Sequence, residues 1–248
     1  MKTWLLKVCR LKTDSMTTGF IADLHLSPGR PDILAAFSEF CQQHRNLDAL
    51  YILGDLFDAW LGDDDTSEFA AQVKKQLKHM TDSGVCLYFM AGNRDFMVGE
   101  RFASDIGLTL LPDETVIDLY GERILLMHGD TLCTLDKGYL RYRAIIQNAM
   151  VKGIMRSLPL SWRMRIANRL RQKSSSQRPE LTPEQLYKMD AQHSEVLHVM
   201  EKHGVRKLIH GHTHRPAVHC FTLGDGKPAK RIVLGDWYQQ ASAYLVSK

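Results

Sequence analysis

The chain is 248 residues long, 44% hydrophobic and 24% charged, with a formal net charge of +4. Those values fit a globular protein with a sizeable core, within reach of one large α/β domain. They exclude a membrane-spanning helix, because no apolar run approaches the roughly 18–20 residues a bilayer requires.

The first fifteen residues, MKTWLLKVCRLKTDS, hold a short apolar run broken by Lys7, too weak for a secretory signal. They read as a dispensable extension or a misassigned start ahead of Met16, leaving 16–248 as a single domain. Apolar, β-rich runs follow at 19–23, 49–55, 85–93, 123–130 and 207–212. Amphipathic helices separate the early ones, at 31–45 after Pro31 and at 66–82, where Asp65 and Glu68 have the spacing of a capping box. Near-continuous apolar strands alternating with helices predict a sheet buried on both faces. Shorter runs near 115–119, 217–221, 231–234 and 242–246 predict further strands, hence an α/β fold with a mixed sheet or a two-sheet sandwich flanked by helices.

Between these runs the charge is uneven. Residues 137–178 contain eleven Lys or Arg and no Asp or Glu, leaving 21 basic residues against all 28 acidic ones elsewhere. Such a block implies anionic company: phosphates, lipid headgroups or nucleic acid. Its stretch 137–173 reads as two helices broken around Pro159, with Ile146, Met150 and Ile154 four residues apart. SSSQRP at 174–179 reads as a polar connector, and TPEQ at 182–185 as a helix start. Five cysteines (9, 41, 86, 133 and 220) lack paired spacing and predict reduced core thiols in a reducing compartment.

The chemistry is concentrated where the strands stop. The first run ends in Asp23-Leu24-His25, the second in Gly54-Asp55-Leu56-Phe57-Asp58 and the third in Gly92-Asn93-Arg94-Asp95. His128-Gly129-Asp130 closes another, and Gly211-His212-Thr213-His214 closes the last. Sites in α/β sheets assemble outside the carboxyl ends of strands. Any one of these pieces occurs by chance: a Gly-Asp is often only a turn, Asn93 could cap a helix, and His128 could be a satisfied strand-end histidine. All five at strand ends suit a pair of divalent cations. Two such ions, about 3.5–4 Å apart, need a shared anion, and Asp55 is the candidate bridge. Oxygen and imidazole donors without thiolate point to manganese, or iron or zinc, able to activate water for in-line attack on phosphorus.

These five segments resemble the signature blocks of the calcineurin-like metallophosphoesterase superfamily over roughly 19–216. The resemblance implies that superfamily's two-sheet sandwich, with the basic block as a helical lid at about 137–180. It also implies one metal held by Asp23, His25, Asp55 and His214, and a second held by Asp55, Asn93, His128 and His212. IADLHLSP, GDLFDAWLGDD, AGNRDF, LMHGDTLCT and IHGHTHRPA are similar, more narrowly, to bacterial pyrophosphohydrolases of lipid A synthesis. That likeness implies two Mn2+ per chain and a lipidated UDP-sugar attacked at its α-phosphorus to release UMP. It further implies a cytoplasmic monomer lying peripherally on the inner membrane, with no nucleic-acid partner. Asp55, Asn93, Arg94, His128 and His212 would be the catalytic set. Asn93, Arg94, Asp136, Ser174 and His212 would contact substrate.

Many relatives carry a histidine where this chain has Arg94, a permanent cation that cannot donate a proton in catalysis. A sugar phosphate departs as a stable anion and needs little protonation, so a guanidinium gripping phosphate oxygens suits it better. A structural Arg94–Asp95 pair is the plainer reading. Asp63, Asp64 and Asp65 read as a solvated turn and cap, and Asp58, Asp95 and Asp130 as groups orienting the ligands. The basic segment, with Trp162 and its methionines, reads either as an interfacial surface for acyl chains and lipid or as ordinary helices with a solvated face. The same bimetal core acting on another phosphodiester, as a nuclease or phosphodiesterase, is the alternative activity. A binding scaffold with its metals lost would lack ligands, and all seven are present.

Overall fold

The computed structural model describes residues 16–175 and 182–248, so the expected extension 1–15 and positions 176–181 lie outside the described residues. In chain order come β1 (Thr17–Ile21), α1 (Pro31–Gln43), β2 (Ala49–Leu53), α2 (Glu68–Asp82), β3 (Cys86–Met90), α3 (Glu100–Ile106) and β4 (Thr109–Leu111). Then follow β5 (Glu114–Leu119), β6 (Glu122–Met127), α4 (Lys137–Ile146), α5 (Ala149–Ser157), α6 (Leu160–Ser175) and α7 (Pro183–Lys188). The chain closes with α8 (His193–His203), β7 (Lys207–His210), β8 (Ala217–Thr222), β9 (Pro228–Val233) and β10 (Tyr244–Ser247).

Two five-stranded sheets form, ordered β10-β1-β2-β3-β4 and β5-β6-β7-β9-β8. β1 to β4 run parallel, as do β6, β7 and β9, while β10, β5 and β8 pair antiparallel at the edges. Alternation along each strand explains the layering. Leu50 and Ile52 of β2 face Phe37, Val73 and Phe102 of the first three helices, whereas Tyr51 and Leu53 join Phe20, Leu126, Ile209 and Ile232 between the sheets. On the far side, Leu125, Met127 and Leu208 pack under Val196, Val199 and Met200 of α8. The expected two-sheet sandwich flanked by helices is therefore the observed one.

Several local expectations change. The α2 cap is Ser67, whose hydroxyl accepts from Ala70 N at 3.2 Å, while Asp65 accepts from Ser67 N instead of forming a capping box. The capping box lies at α7, where Thr182 and Gln185 satisfy each other's backbone donors. The basic block contains three helices, because Asn148 caps a new one by accepting from Met150 N at 2.9 Å. That break ends the single stripe expected through Ile146, Met150 and Ile154. The connector expected at 174–179 begins as the last turn of α6, and its remainder lies outside the described residues. Among the described residues Cys41 and Cys133 are free and buried, as expected of reduced core thiols, whereas Cys220 is free but exposed, outside the core. No helix among the described residues is long and apolar enough to cross a membrane.

Candidate metal centre

The loops that leave β1, β2, β3, β6 and β7 at their carboxyl ends meet at one rim of the sandwich. Their backbones are stitched together beyond the strands: Asp23 N donates to Gly54 O at 3.1 Å, His25 N to Asp55 O at 2.9 Å, and Gly211 N to His128 O at 2.9 Å. Close approach is built into the sequence at Gly92, where a Cβ would collide with the backbone and carboxylate of Asp55. Asp95 fastens the same corner. Its carboxylate accepts from Gly92 N at 2.7 Å and Leu56 N at 2.8 Å, and more weakly from Asp55 N and Phe57 N.

Six non-glycine residues with positive φ are recorded among the described residues, and five are candidate ligands. They are Asp23 (56°), His25 (50°), Asp55 (53°), His212 (69°) and His214 (54°). The left-handed region is unfavourable for residues bearing a Cβ, and such strain costs on the order of 1–3 kcal/mol per residue. Hydrogen bonds between the loops hold it in place.

Two donor groups result, with Asp55 between them. Nε2 of His25 and Nε2 of His214 are 3.3 Å apart, and His214 Nε2 is 3.4 Å from Asp23 Oδ1. In the second group, Asn93 Oδ1 lies 3.0 Å from His128 Nε2 and 3.2 Å from His212 Nδ1. Asp55 Oδ2 stands 3.9 Å from His25 Nε2 and 3.9 Å from His128 Nε2, the placement of a group shared by both sets. Asp23 comes close to both as well, reaching Asp55 and His128 on one side and His25 and His214 on the other. All seven residues that the family resemblance implied as ligands are thus brought together.

Divalent cations fit these donors. Asp23 Oδ1 and His25 Nδ1 are buried without a hydrogen-bond partner. His128 Nδ1 donates to Leu53 O at 2.9 Å, which leaves Nε2 with its lone pair facing the cluster. Carboxylate, amide and imidazole donors converging without thiolate suit a hard or borderline ion.

Without such charge the cluster holds protons. Burial above all pushes Asp55 up to about 8; His128 opposes this and the carboxylates of Asp95 and Asp23 add to it. Burial would depress His128, but Asp55, Asp130 and Asp23 outweigh it and raise the imidazole to about 9. Burial also lowers His25 and His212, each to about 4. Above pH 6.5 those two are neutral in the folded and unfolded chain alike, so Asp55 and His128 dominate. Both have folded values above their unfolded ones, so their contribution to stability is lost as pH rises. The metal-free chain should therefore melt progressively lower between pH 6.5 and 9, while the Mn2+-loaded chain should not. At pH 7, calorimetric Mn2+ titrations in buffers of different ionisation enthalpy should show net proton release. Proton-neutral binding would contradict this charge assignment.

Arg94 donates its backbone N–H to Asp55 Oδ1 at 2.8 Å, and its carbonyl accepts from Trp60 N. Its guanidinium makes no recorded ion pair or hydrogen bond among the described residues, so the plainer Arg94–Asp95 pair is absent; Asp95 is occupied by backbone amides. Asp136 caps α4 by accepting from Tyr139 N at 2.9 Å. Ser174 lies near the end of α6, and its side chain lies outside the described residues.

The other carboxylates do more than the sequence suggested. Asp63 accepts from Trp60 Nε1 and from Gly99 N and Phe102 N at the start of α3, and Asp64 pairs with Arg163, so neither is merely solvated. Asp130 orients no ligand through a hydrogen bond; it accepts from Tyr139 OH at 2.5 Å and Arg143 Nε at 2.6 Å, tying α4 to the rim. Sequence reasoning missed Asp236, whose Oδ2 lies 3.2 Å from His214 Nδ1, and Tyr238, stacked on His25. The signal was present: Gly235-Asp236 repeats the Gly-Asp ending of the other runs, here just after β9.

The family model described as "Calcineurin-like phosphoesterase" matches residues 16–216. The chain is 51% identical to the UDP-2,3-diacylglucosamine hydrolase of Photobacterium profundum, over 93% of each chain. It is 47% identical to the enzyme of that name from Vibrio cholerae, over 94% of this chain and 96% of the other. To that from Pseudomonas aeruginosa it is 48% identical, over 92% and 94%.

Proposed function

We propose, from the premise that the chain belongs to the calcineurin-like phosphoesterase family, that it hydrolyses the pyrophosphate bond of UDP-2,3-diacylglucosamine at the α-phosphorus. UMP and 2,3-diacylglucosamine 1-phosphate would be the products. The observation that carries this reading is the pair of donor sets on either side of Asp55, with a guanidinium that has no partner among the described residues on the residue bonded to that same carboxylate.

Asp23, His25, Asp55 and His214 would hold one Mn2+, and Asp55, Asn93, His128 and His212 the other. Bound there, the ions supply Lewis acidity toward water and a phosphoryl oxygen. The protein's own part is placement. Asp95 and the loop-to-loop hydrogen bonds hold Asp55 where it serves both sets, and the Leu53 carbonyl fixes the His128 tautomer. Arg94 is free to grip the departing sugar phosphate, which needs countercharge more than a proton.

Asp136 and Ser174 would contact the substrate, a reading that the family resemblance supports. The lid, residues 137–180 of a single domain at 16–248, supplies apolar area: Ile145, Met150, Ile154 and Trp162 are 58–75% exposed among the block's cations. These side chains suit acyl chains and an anionic lipid surface, consistent with a monomer lying peripherally on the cytoplasmic face of the inner membrane.

Incubation of the protein and Mn2+ with UDP-2,3-diacylglucosamine should release UMP; release of UDP would refute attack at the α-phosphorus. Arg94→Ala should lower kcat by roughly 10²–10³, the scale lost with one oxyanion donor, while both ions stay bound. Metal analysis showing an emptied site in that variant would give Arg94 a structural role instead.

A further inference from the structure

Beyond the seven candidate ligands, the segment after β9 closes over one of the two donor sets. Asp236 divides its carboxylate: Oδ1 accepts from Tyr238 N at 3.2 Å, and Oδ2 lies 3.2 Å from His214 Nδ1. His214 Nε2 points the other way, toward Asp23 and His25. His25 lacks such an anchor, since its buried Nδ1 has no hydrogen-bond partner. Its ring lies parallel to Tyr238 instead, with centroids 5.5 Å apart and planes 5° apart. Arg30 covers Tyr238, its guanidinium 5.4 Å from the ring centroid and Nη2 donating to Tyr238 O at 3.2 Å. A carboxylate thus faces one histidine of the set at ion-pair distance, and a stacked ring covers the other.

We propose that Asp236 and Tyr238 are positioning residues for the ion held by Asp23, His25, Asp55 and His214, Asp236 fixing the tautomer and plane of His214 and Tyr238 the plane of His25. The inference rests on reading those four residues as one ion's ligands. Carboxylates that hold a metal-bound imidazole typically contribute 10–100-fold in metal affinity. The second set gains its orientation from Leu53 O and touches neither residue through a recorded hydrogen bond, so the effect is confined to one ion.

The test is Mn2+ alone, titrated by calorimetry into the parent chain, Asp236→Ala, Asp236→Asn and His214→Ala. Asp236→Ala should weaken one of two ions 10–100-fold and leave the other unchanged. Asp236→Asn should recover part of the loss, because an amide oxygen still accepts from Nδ1–H. Adding Asp236→Ala to His214→Ala should cost nothing further. With Co2+ in place of Mn2+, the visible spectrum should change for one site only. Should Asp236→Ala fail to fold, Tyr238→Leu against Tyr238→Phe reads the same brace, with binding weakened only where the ring is lost. Equal weakening of both ions, parent-like binding of both, no recovery with Asn or an additive loss in the His214→Ala background would each overturn the proposal. A parent chain that binds fewer than two ions overturns the metal reading itself, and no outcome depends on the substrate.

Discussion

Asp55→Asn should abolish turnover, lowering kcat more than roughly 10³-fold, beyond what loss of one hydrogen-bond donor costs. The substitution isolates charge from shape. Asparagine tolerates the left-handed backbone that residue 55 adopts (φ 53°), and its amide oxygen can still accept from Arg94 N. If Asp55 is the shared anion, two like-charged ions would lose the group that offsets their repulsion, and metal stoichiometry should fall below that of the parent chain. Because burial already holds Asp55 well above the usual carboxylate range, the metal-free variant should melt no lower than the metal-free parent at pH 8. Activity near the parent level with both ions bound would remove Asp55 from the centre.

Arg163→Ala should loosen the basic helices α5 and α6 from the rest of the domain. Arg163 belongs to α6 but is 1% exposed, an unusual burial for a guanidinium. Nε donates to Leu158 O at 3.0 Å, Nη1 to Leu61 O, and Nη2 pairs with Asp64. Gly62 makes the room, since a Cβ there would occupy the place of Nη1. Charged hydrogen bonds of this kind contribute about 1.5–3 kcal/mol each, but half-exposed Asp64 is partly screened and rehydrates when its partner leaves. About 2–4 kcal/mol of local stability should go. Hydrogen exchange should quicken across α5 and α6 and stay slow in β2 and β6. Uniform acceleration through the whole chain would mean that Arg163 supports the core and not these helices alone.

Most of the scaffold was legible because its signal is local. β2 reads as ALYIL and is buried on both faces; α1 begins at Pro31, where a proline fits the first turn. The candidate metal cluster was legible for a different reason: each of its segments follows a recognisable strand, and the family resemblance singled out the candidate ligands among them. What stayed hidden depends on partners distant in sequence. Asp63 resembles part of a solvated acidic turn, yet it caps α3 about forty residues later. Arg163 resembles one more cation in a basic block until Leu61 and Asp64 are placed beside it. The break between α4 and α5 turned on the side chain of Asn148, which competed successfully with the continuing apolar spacing. Asp236 carried the right dipeptide, but a single carboxylate after β9 has no meaning until His214 is beside it.

The left-handed backbones of the five candidate ligands bear on how metal would come and go. The rim keeps those strained conformations through hydrogen bonds between its own loops, with no ion needed to impose them. A cage formed in advance would not have to refold around each arriving ion, so loading and stripping would retrace one path and leave no hysteresis.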